Sequence, residues 1–390
     1  MPPFRITCLT LSLLALPTLA AAQTSVAWPP RVTFADGTRL ALSTNLAWDI
    51  ARVDDDGTGV ADDQGWRRRE LGVSLRRDGV YDINVLYDLH NELWLDAAVR
   101  VETKALFGHD VGRLRAGHMK LHTSMEGVAA NRAGSFLENS AATQAFYQIA
   151  RSGLTWTLER PQYLIDVGLF NGDFHGDNNG QTQMLRAAWT PAKQDGDVLH
   201  LGVALSREQP DGITDGRGNY APASVRYAAR TGAALSAVKL VDTARLEGVE
   251  RNDRQTLQAL WIAGPFSLQG EYYWQQTHLD AARPTYRSDG YYATVGWLPS
   301  GQARRYAGGT YLNPLTGERN TATELLARYS SLDLDSDGIT GGRMQEATLG
   351  VNWYYGVHWK LQANYTWSRA HLRGTTIAPH MLQFRTQFQF

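Results

Sequence analysis

The side chains best suited to chemistry in this sequence are arginines and lysines that recur at every second position of extended segments. Arg68, Arg76, Arg100, Lys104, Arg186, Arg226, Arg328, Lys360 and Arg385 fall on the face opposite an apolar row. A hydrated oxyanion sheds water only where several charge-assisted donors replace it, and guanidinium or ammonium groups supply them. Several moderate sites in series also let the ion leave again. Asp49, Asp82, Asp88, Asp96, Glu102, Glu271 and Glu324 share these faces, so ion pairing across strands is the competing use of each base. A register slip of one residue would exchange the two faces.

Other chemistries find less support. The segment from Asp333 to Gly338 begins like a calcium loop, but Met344 stands at the twelfth position where a bidentate Glu belongs. An acidic hairpin is the simpler reading of this segment and of Asp54–Gly57. His109, His118, His122 and His175 have no metal-ligand spacing, and no cofactor is expected. Ser124 lies near His122, but a nucleophile also needs an oriented base, so no catalytic residue is assigned.

The elements that carry these residues alternate with period 2, the mark of strands whose two faces see different surroundings. Leu40, Leu42, Leu46, Trp48 and Ile50 share one face, with Ala41, Ser43, Asn45 and Asp49 between them. Trp359, Leu361, Ala363, Tyr365 and Trp367 alternate with Lys360, Gln362, Asn364, Thr366 and Ser368. Among the 390 residues are 12 Trp, 17 Tyr and 11 Phe, too much apolar surface for a disordered chain. The mean hydropathy of -0.35 and the absence of long apolar runs exclude a helical membrane bundle. A net charge of -1 gives no reason to expect nucleic acid.

Residues 1–22 read as a secretory leader: Arg5, a short apolar core, then Ala20–Ala22 at the cleavage point. Cys8, the single cysteine, leaves with it. A short segment 23–38 then precedes one domain over 39–390. Ionised residues along whole strand faces argue against a soluble sandwich, and apolar faces ending in Trp and Tyr match the girdles of an outer-membrane barrel. Removing 22 of the 390 residues leaves 368, which gives sixteen strands about 23 residues each with their connections. The expected fold is all-β, a transmembrane antiparallel barrel of about 16 strands around an aqueous channel in the bacterial outer membrane. Phe384, Phe388 and Phe390 end the last strand as a barrel-assembly signal for the insertion machinery.

Several stretches resemble the phosphate-selective porin O and P family. They are Trp66–Ser74 (WRRRELGVS), Leu114–Lys120 (LRAGHMK) with Met125–Glu126 and Ser135–Glu138, Leu240–Thr243 with Gly264–Glu271, and Glu324–Leu334 with Leu349–Tyr354. Ser300-Gly-Gln302 departs from the family's usual Thr/Ser-Gly-Glu, and Thr323 replaces a common aromatic. The resemblance implies a homotrimer, an arginine-lined anion pathway and an inward-folded constriction loop containing lysine. Arg113, Arg115 and Lys120 would flank that loop, and Arg132 would sit on it. The implied function is passage of small, phosphate-like anions, with outer-membrane lipid and lipopolysaccharide as surroundings. A general or carboxylate/sugar-selective porin is the alternative; a barrel enzyme and an adhesive barrel are more distant ones.

Overall fold

Along Ile339–Tyr355 every second side chain is buried, and the buried ones are largely polar. Leu349 is 53% and Val351 43% exposed, whereas Glu346 and Asn352 are buried. Such inverted polarity is stable only where the outer face meets lipid and the inner face meets water or polar protein. Every backbone group at that depth must also be paired within the sheet, which requires a closed barrel.

The computed structural model describes residues 28–390 except 173, 175–179, 215–216, 233–234, 281–282, 317–319 and 337. The expected leader and His175 lie outside the described residues. Sixteen antiparallel strands close the wall. They are β1 (Arg39–Asp54), β2 (Asp63–Arg77), β3 (Tyr81–Asp88), β4 (Leu93–Glu102), β5 (Arg113–Lys120), β6 (Ala150–Glu159), β7 (Tyr163–Asn171) and β8 (Gln181–Gln194). The second half comprises β9 (Asp197–Gln209), β10 (Val249–Ala263), β11 (Phe266–Leu279), β12 (Tyr286–Trp297), β13 (Thr321–Ser336), β14 (Ile339–Tyr355), β15 (Trp359–Leu372) and β16 (His380–Gln389). Each pairs with its sequence neighbour, and β16 closes on β1 from Asn45↔Gln389 to Asp54↔His380. Phe390 completes the seam by exchanging backbone hydrogen bonds with Thr44 at 3.1 and 3.2 Å. Among the described residues no helix is long and apolar enough to cross a membrane.

The two rims differ. Tight turns at 78–80, 160–162, 195–196, 264–265 and 356–358 lie at one end, with the start of β1 and the end of β16. The opposite end bears the long connections 121–149 and 210–248. Short turns mark the periplasmic side and long loops the external side. Aromatic residues girdle both ends. Trp48–Trp66, Tyr87–Trp94 and Tyr365–Trp367 lie towards the external rim, and Phe266–Trp297, Trp353–Tyr355 and Trp359–Phe388 towards the turns. On β15, Trp359 and Trp367 are eight residues apart, about 27 Å along a strand. A tilt of roughly 40° reduces that to about 21 Å, close to the apolar height of such barrels.

Strict alternation fails at one important place. Ala47 pairs with Arg68 and Trp48 with Trp66, so Arg67 is the extra residue of a β-bulge. The bulge turns both Arg67 and Arg68 away from lipid, although period 2 would point Arg67 outwards. Lys104, expected on a strand face, lies instead on α1 (Thr103–Phe107) at the periplasmic end, because the chain leaves the sheet after Glu102. Arg226, also expected on a strand, lies within the connection 210–248.

The outward row of β14 sets a depth-dependent test. Leu349→Arg should cost about 2–4 kcal/mol in folding into lipid vesicles, while Gln345→Arg, nearer the rim on the same row, should cost about 0–1 kcal/mol. Equal costs in reversible denaturant titrations would mean that this face does not meet hydrocarbon.

Candidate functional site

The lumen is narrowed by chain that folds inwards from both ends. The connection 121–149 runs inside the wall and forms α2 (Met125–Val128), a 3-10 turn (Asn131–Ala133) and α3 (Ala141–Phe146). Ser124 caps α2, its hydroxyl accepting the Gly127 N–H at 2.9 Å. Glu271 of β11 accepts the Met125 and Glu126 N–H groups at 2.6 and 2.9 Å. The same carboxylate accepts hydroxyls from Ser124, Tyr273 and Tyr292 at 3.0, 3.1 and 2.7 Å. A carboxylate at a helix start, with its lone pairs filled by donors, is a favourable way to bury both partners. Gly127 lets the Tyr147 ring pack against α2, since a Cβ there would lie 2.5 Å from that ring.

The far half of the loop is held by its carbonyls. Gln387 donates to Arg132 O at 3.1 Å and Lys360 to Gly134 O at 2.6 Å. Asn352, Arg385 and Arg328 each donate at 2.9 Å, to Ser135 O, Leu137 O and Glu138 O respectively. Arg328 also pairs with Glu126 at 2.9 Å and covers the Phe136 ring at 4.4 Å. Buried backbone carbonyls need donors, and long basic side chains on the wall provide them.

Two further segments fill the barrel. Residues 298–316 rise from the periplasmic end: Arg304 forms a two-pronged pair with Glu324, and Thr310 donates to Met125 O at 2.8 Å. Arg186 donates to Gly309 O at 2.6 Å and to Gln258 at 2.8 Å. Gly309 has φ +77°, and a Cβ there would lie 2.7 Å from the Arg186 guanidinium. From the external end, Tyr227 in 210–248 stacks on Tyr286 at 5.7 Å, and Thr231 bonds Ser368 at 3.1 Å. The family resemblance implied one inward loop; among the described residues three segments enter.

Among the described residues, two cavities with several basic side chains open on either side of the inward loop. The outer one, about 410 Å³, is lined by Arg67, Arg68, Arg226, Arg230, Lys239 and Arg385, with Glu126 and Glu138 as its carboxylates. The inner one, about 470 Å³, is lined by Arg76, Arg100, Arg115, Lys120 and Arg132, with Glu70, Asp82 and Asp96. Among the described residues, Ala130 and Asn131 line both, so this stretch of loop is what separates them.

The bases divide by partner. Arg100 pairs with Asp82 at 2.8 Å, Arg76 with Asp78 at 2.7 Å, and Arg115 with Asp96. Arg68 has looser partners, Asp88 at 3.4 Å and Glu70 at 3.8 Å. Arg113 is tied to Glu159 at 3.0 Å, and Arg226 to Asp242. Lys120 donates to Gly127 O and Ala129 O at 3.1 and 2.8 Å, neither of them a charged partner. Among the described residues, Lys120, Arg132, Arg230 and Lys239 have no ion-paired carboxylate. Partial burial holds the Lys239 ammonium below its ordinary value, and Arg226 and Arg230 push the same way against Asp242. Arg186 and Arg328 line neither cavity and hold inward chain in place.

Sequence reasoning missed Arg67, which the bulge turns inwards, and Arg230 and Lys239, which a folded-in loop presents. The other chemistries found different employment. Ser124 is a helix cap; His122 meets Asp166 at 3.2 Å, and Asp333 and Asp335 face Arg343 at 3.0 and 3.4 Å.

The family described as phosphate-selective porin O and P matches residues 40–390. The chain belongs to that family. Porin O of Pseudomonas aeruginosa is 25% identical over 364 residues, 83% of this chain and 81% of that protein. An uncharacterized protein of Caulobacter vibrioides is 27% identical over 365 residues, 89% of this chain and 72% of the other. Among solved structures, OmpT of Vibrio cholerae superposes with TM-score 0.60 at 11% identity, covering 92% of this chain and 99% of its own. The anion-selective porin from Comamonas acidovorans gives 0.56 at 11% identity, covering 90% and 100%. With the closed barrel and open cavities, family membership makes this a porin of the bacterial outer membrane, a channel rather than an enzyme.

Two outcomes follow for the inward loop. Glu271→Ala leaves two buried N–H groups unpaired, at about 1–3 kcal/mol each, so the loop should loosen and single-channel current become larger and noisier; unchanged traces would show that Glu271 does not hold it. The second concerns acid. Burial would raise the Glu138 carboxyl, but Arg67, Arg385 and Arg68 outweigh it and bring it down to about 2. A depressed carboxyl stabilises above its unfolded value near 4.5 and loses that contribution as pH falls towards 2. Protease resistance of residues 121–149 should therefore persist at pH 5 and decline from roughly pH 4 to 2, by on the order of 3 kcal/mol. Glu138→Gln should flatten that decline.

Proposed function

We propose that the channel conducts small anions, with phosphate-like oxyanions as preferred solutes. The observation that carries this reading is the excess of bases over carboxylates in both cavities, six against two outside and five against three inside. An anion passes from the Arg230 and Lys239 vestibule to Arg68, crosses beside Ala130 and Asn131, and meets Lys120, Arg115 and Arg132 before leaving. Each stop offers charge-assisted donors that replace part of the hydration shell, and none encloses the ion. Lys120 is the main contributor on the inner side: carbonyls position its ammonium without cancelling its charge. Arg100 and Arg76 are drawn towards Asp82 and Asp78 and contribute less. Arg113, Arg186 and Arg328 serve the scaffold.

The paired arginines favour a second reading, a general or carboxylate/sugar-selective porin without phosphate preference. The family description and a relative named porin O support the phosphate reading. The chain assembles as a homotrimer in this proposal; one of its structural neighbours, OmpT of Vibrio cholerae, is described in a trimer form. Phe384, Phe388 and Phe390 present the C-terminal strand to the insertion machinery. Phe384 is exposed on the outer face, and Phe388 and Phe390 join the aromatic belt beside Trp359 and Trp28.

Reversal potentials in planar bilayers under a salt gradient decide the sign. Anion preference is expected, and Lys120→Glu should lower it about tenfold, the equivalent of roughly 1.4 kcal/mol. Cation preference in the unaltered protein would end the anion reading. Millimolar phosphate should block chloride current; an unaffected current leaves only the general anion channel.

A further inference from the structure

The outer wall carries a second concentration of arginine, far from the lumen. On β9 the outward row runs Leu201, Val203, Leu205 and then Arg207, so a guanidinium continues a lipid-facing row. Arg207 pairs in register with Asp253 of β10, and Asp253 with Gln276 of β11. Gln276 lies one outward position beyond Trp274, an exposed tryptophan whose ring lies tilted at 45° to Tyr272, 4.2 Å away. The cations therefore stand just external to the aromatic belt, at the depth of lipid headgroups.

Asp253 organises them. It accepts Arg207 Nε at 2.7 Å and Arg251 Nε at 2.9 Å, while Arg251 Nη2 meets His278 Nε2 at 2.8 Å. One carboxylate thus orients two guanidiniums. Arg207, with its side chain 54% exposed, is bound to Asp253 through Nε, which leaves its Nη donors for another partner. Arg287 extends the row on β12, opposite Gln276. Beneath Arg207 and Asp253 a groove of about 470 Å³ crosses the outer wall, with Val167, Leu169, Leu185 and Leu205 among its lining. These four are all exposed. An oriented cationic fork above an apolar groove fits an amphiphile with an anionic head and acyl chains.

We propose that this face of β7–β12 is a binding site for the phosphorylated glycolipid of the outer leaflet. Arg207, Arg251 and Arg287 take a lipid A phosphate, and one acyl chain lies in the groove along Leu185 and Leu205. Charge complementarity at headgroup depth selects this occupant over a second copy of the chain, which would have to bury the same guanidiniums. The site does not depend on the solute that the pore carries.

Native mass spectrometry of the detergent-purified protein tests it, with bis-phosphorylated lipid A and the same lipid stripped of phosphate as probes. The intact protein should retain the phosphorylated lipid about tenfold more strongly than the stripped one, the equivalent of roughly 1.4 kcal/mol. The Arg207→Gln/Arg251→Gln double variant should lose that preference while keeping its heat-modifiable migration and its conductance. Leu185→Ser should weaken retention of both lipids, and excess inorganic phosphate should displace neither. Undiminished preference in the correctly folded double variant would overturn the proposal. Displacement by inorganic phosphate, with Leu185→Ser silent, would make this a free-anion site instead. Loss of oligomer rather than of lipid in the double variant would assign the face to a second copy.

Discussion

A loop laid inside a membrane barrel must have its backbone polar groups satisfied by the wall, and the rest of this channel depends on that requirement. Glu271 takes the amide end of α2, while Lys360, Asn352, Arg385, Arg328 and Gln387 take carbonyls between Arg132 and Glu138. An orphaned buried amide or carbonyl costs about as much as a hydrogen bond returns. The spacing of these wall residues therefore determines where the loop can lie. Residues 298–316 then dock on the loop through Thr310 and Met125 and on the wall through Arg304 and Glu324.

This requirement divides the charged residues between two tasks. Bases whose donors meet loop carbonyls or buried carboxylates hold the scaffold; bases left facing the cavities would supply the field in the proposed anion pathway. Lys120 does both, because a carbonyl positions an ammonium without neutralising it. Arg328 and Arg186 show the opposite outcome, being buried and committed to Glu126, Glu138 O and Gly309 O. A near-zero net charge is compatible with a strongly positive pathway, because only charges close to the passage remain unscreened there.

Most of the barrel was legible. Inverted alternation on β1, β14 and β15, the aromatic belts and the terminal Phe390 are local patterns, set by the 2-residue repeat of a strand between lipid and water. The site was legible less evenly. Arg68, Arg76, Arg100, Arg115, Lys120 and Arg132 do line the cavities, because alternation or position beside the loop places them there. Arg67 escaped because one extra residue reverses its side, and nothing local in Arg67–Arg69 announces a bulge. Arg230 and Lys239 escaped because they ride on a connection, where no periodicity assigns a face.

The sequence by itself determined the class of fold, the faces of the strands and the family, since these follow from short-range repetition and from motifs carried in order. Only the tertiary structure decided which cations face the cavities without a carboxylate partner. That depends on whether a carboxylate or a loop carbonyl from a distant segment comes within hydrogen-bond reach, as Glu138 does for Arg67, 71 residues away. Pairing of this kind is set by closure of the barrel and the path of the inward loops, and no local pattern encodes it.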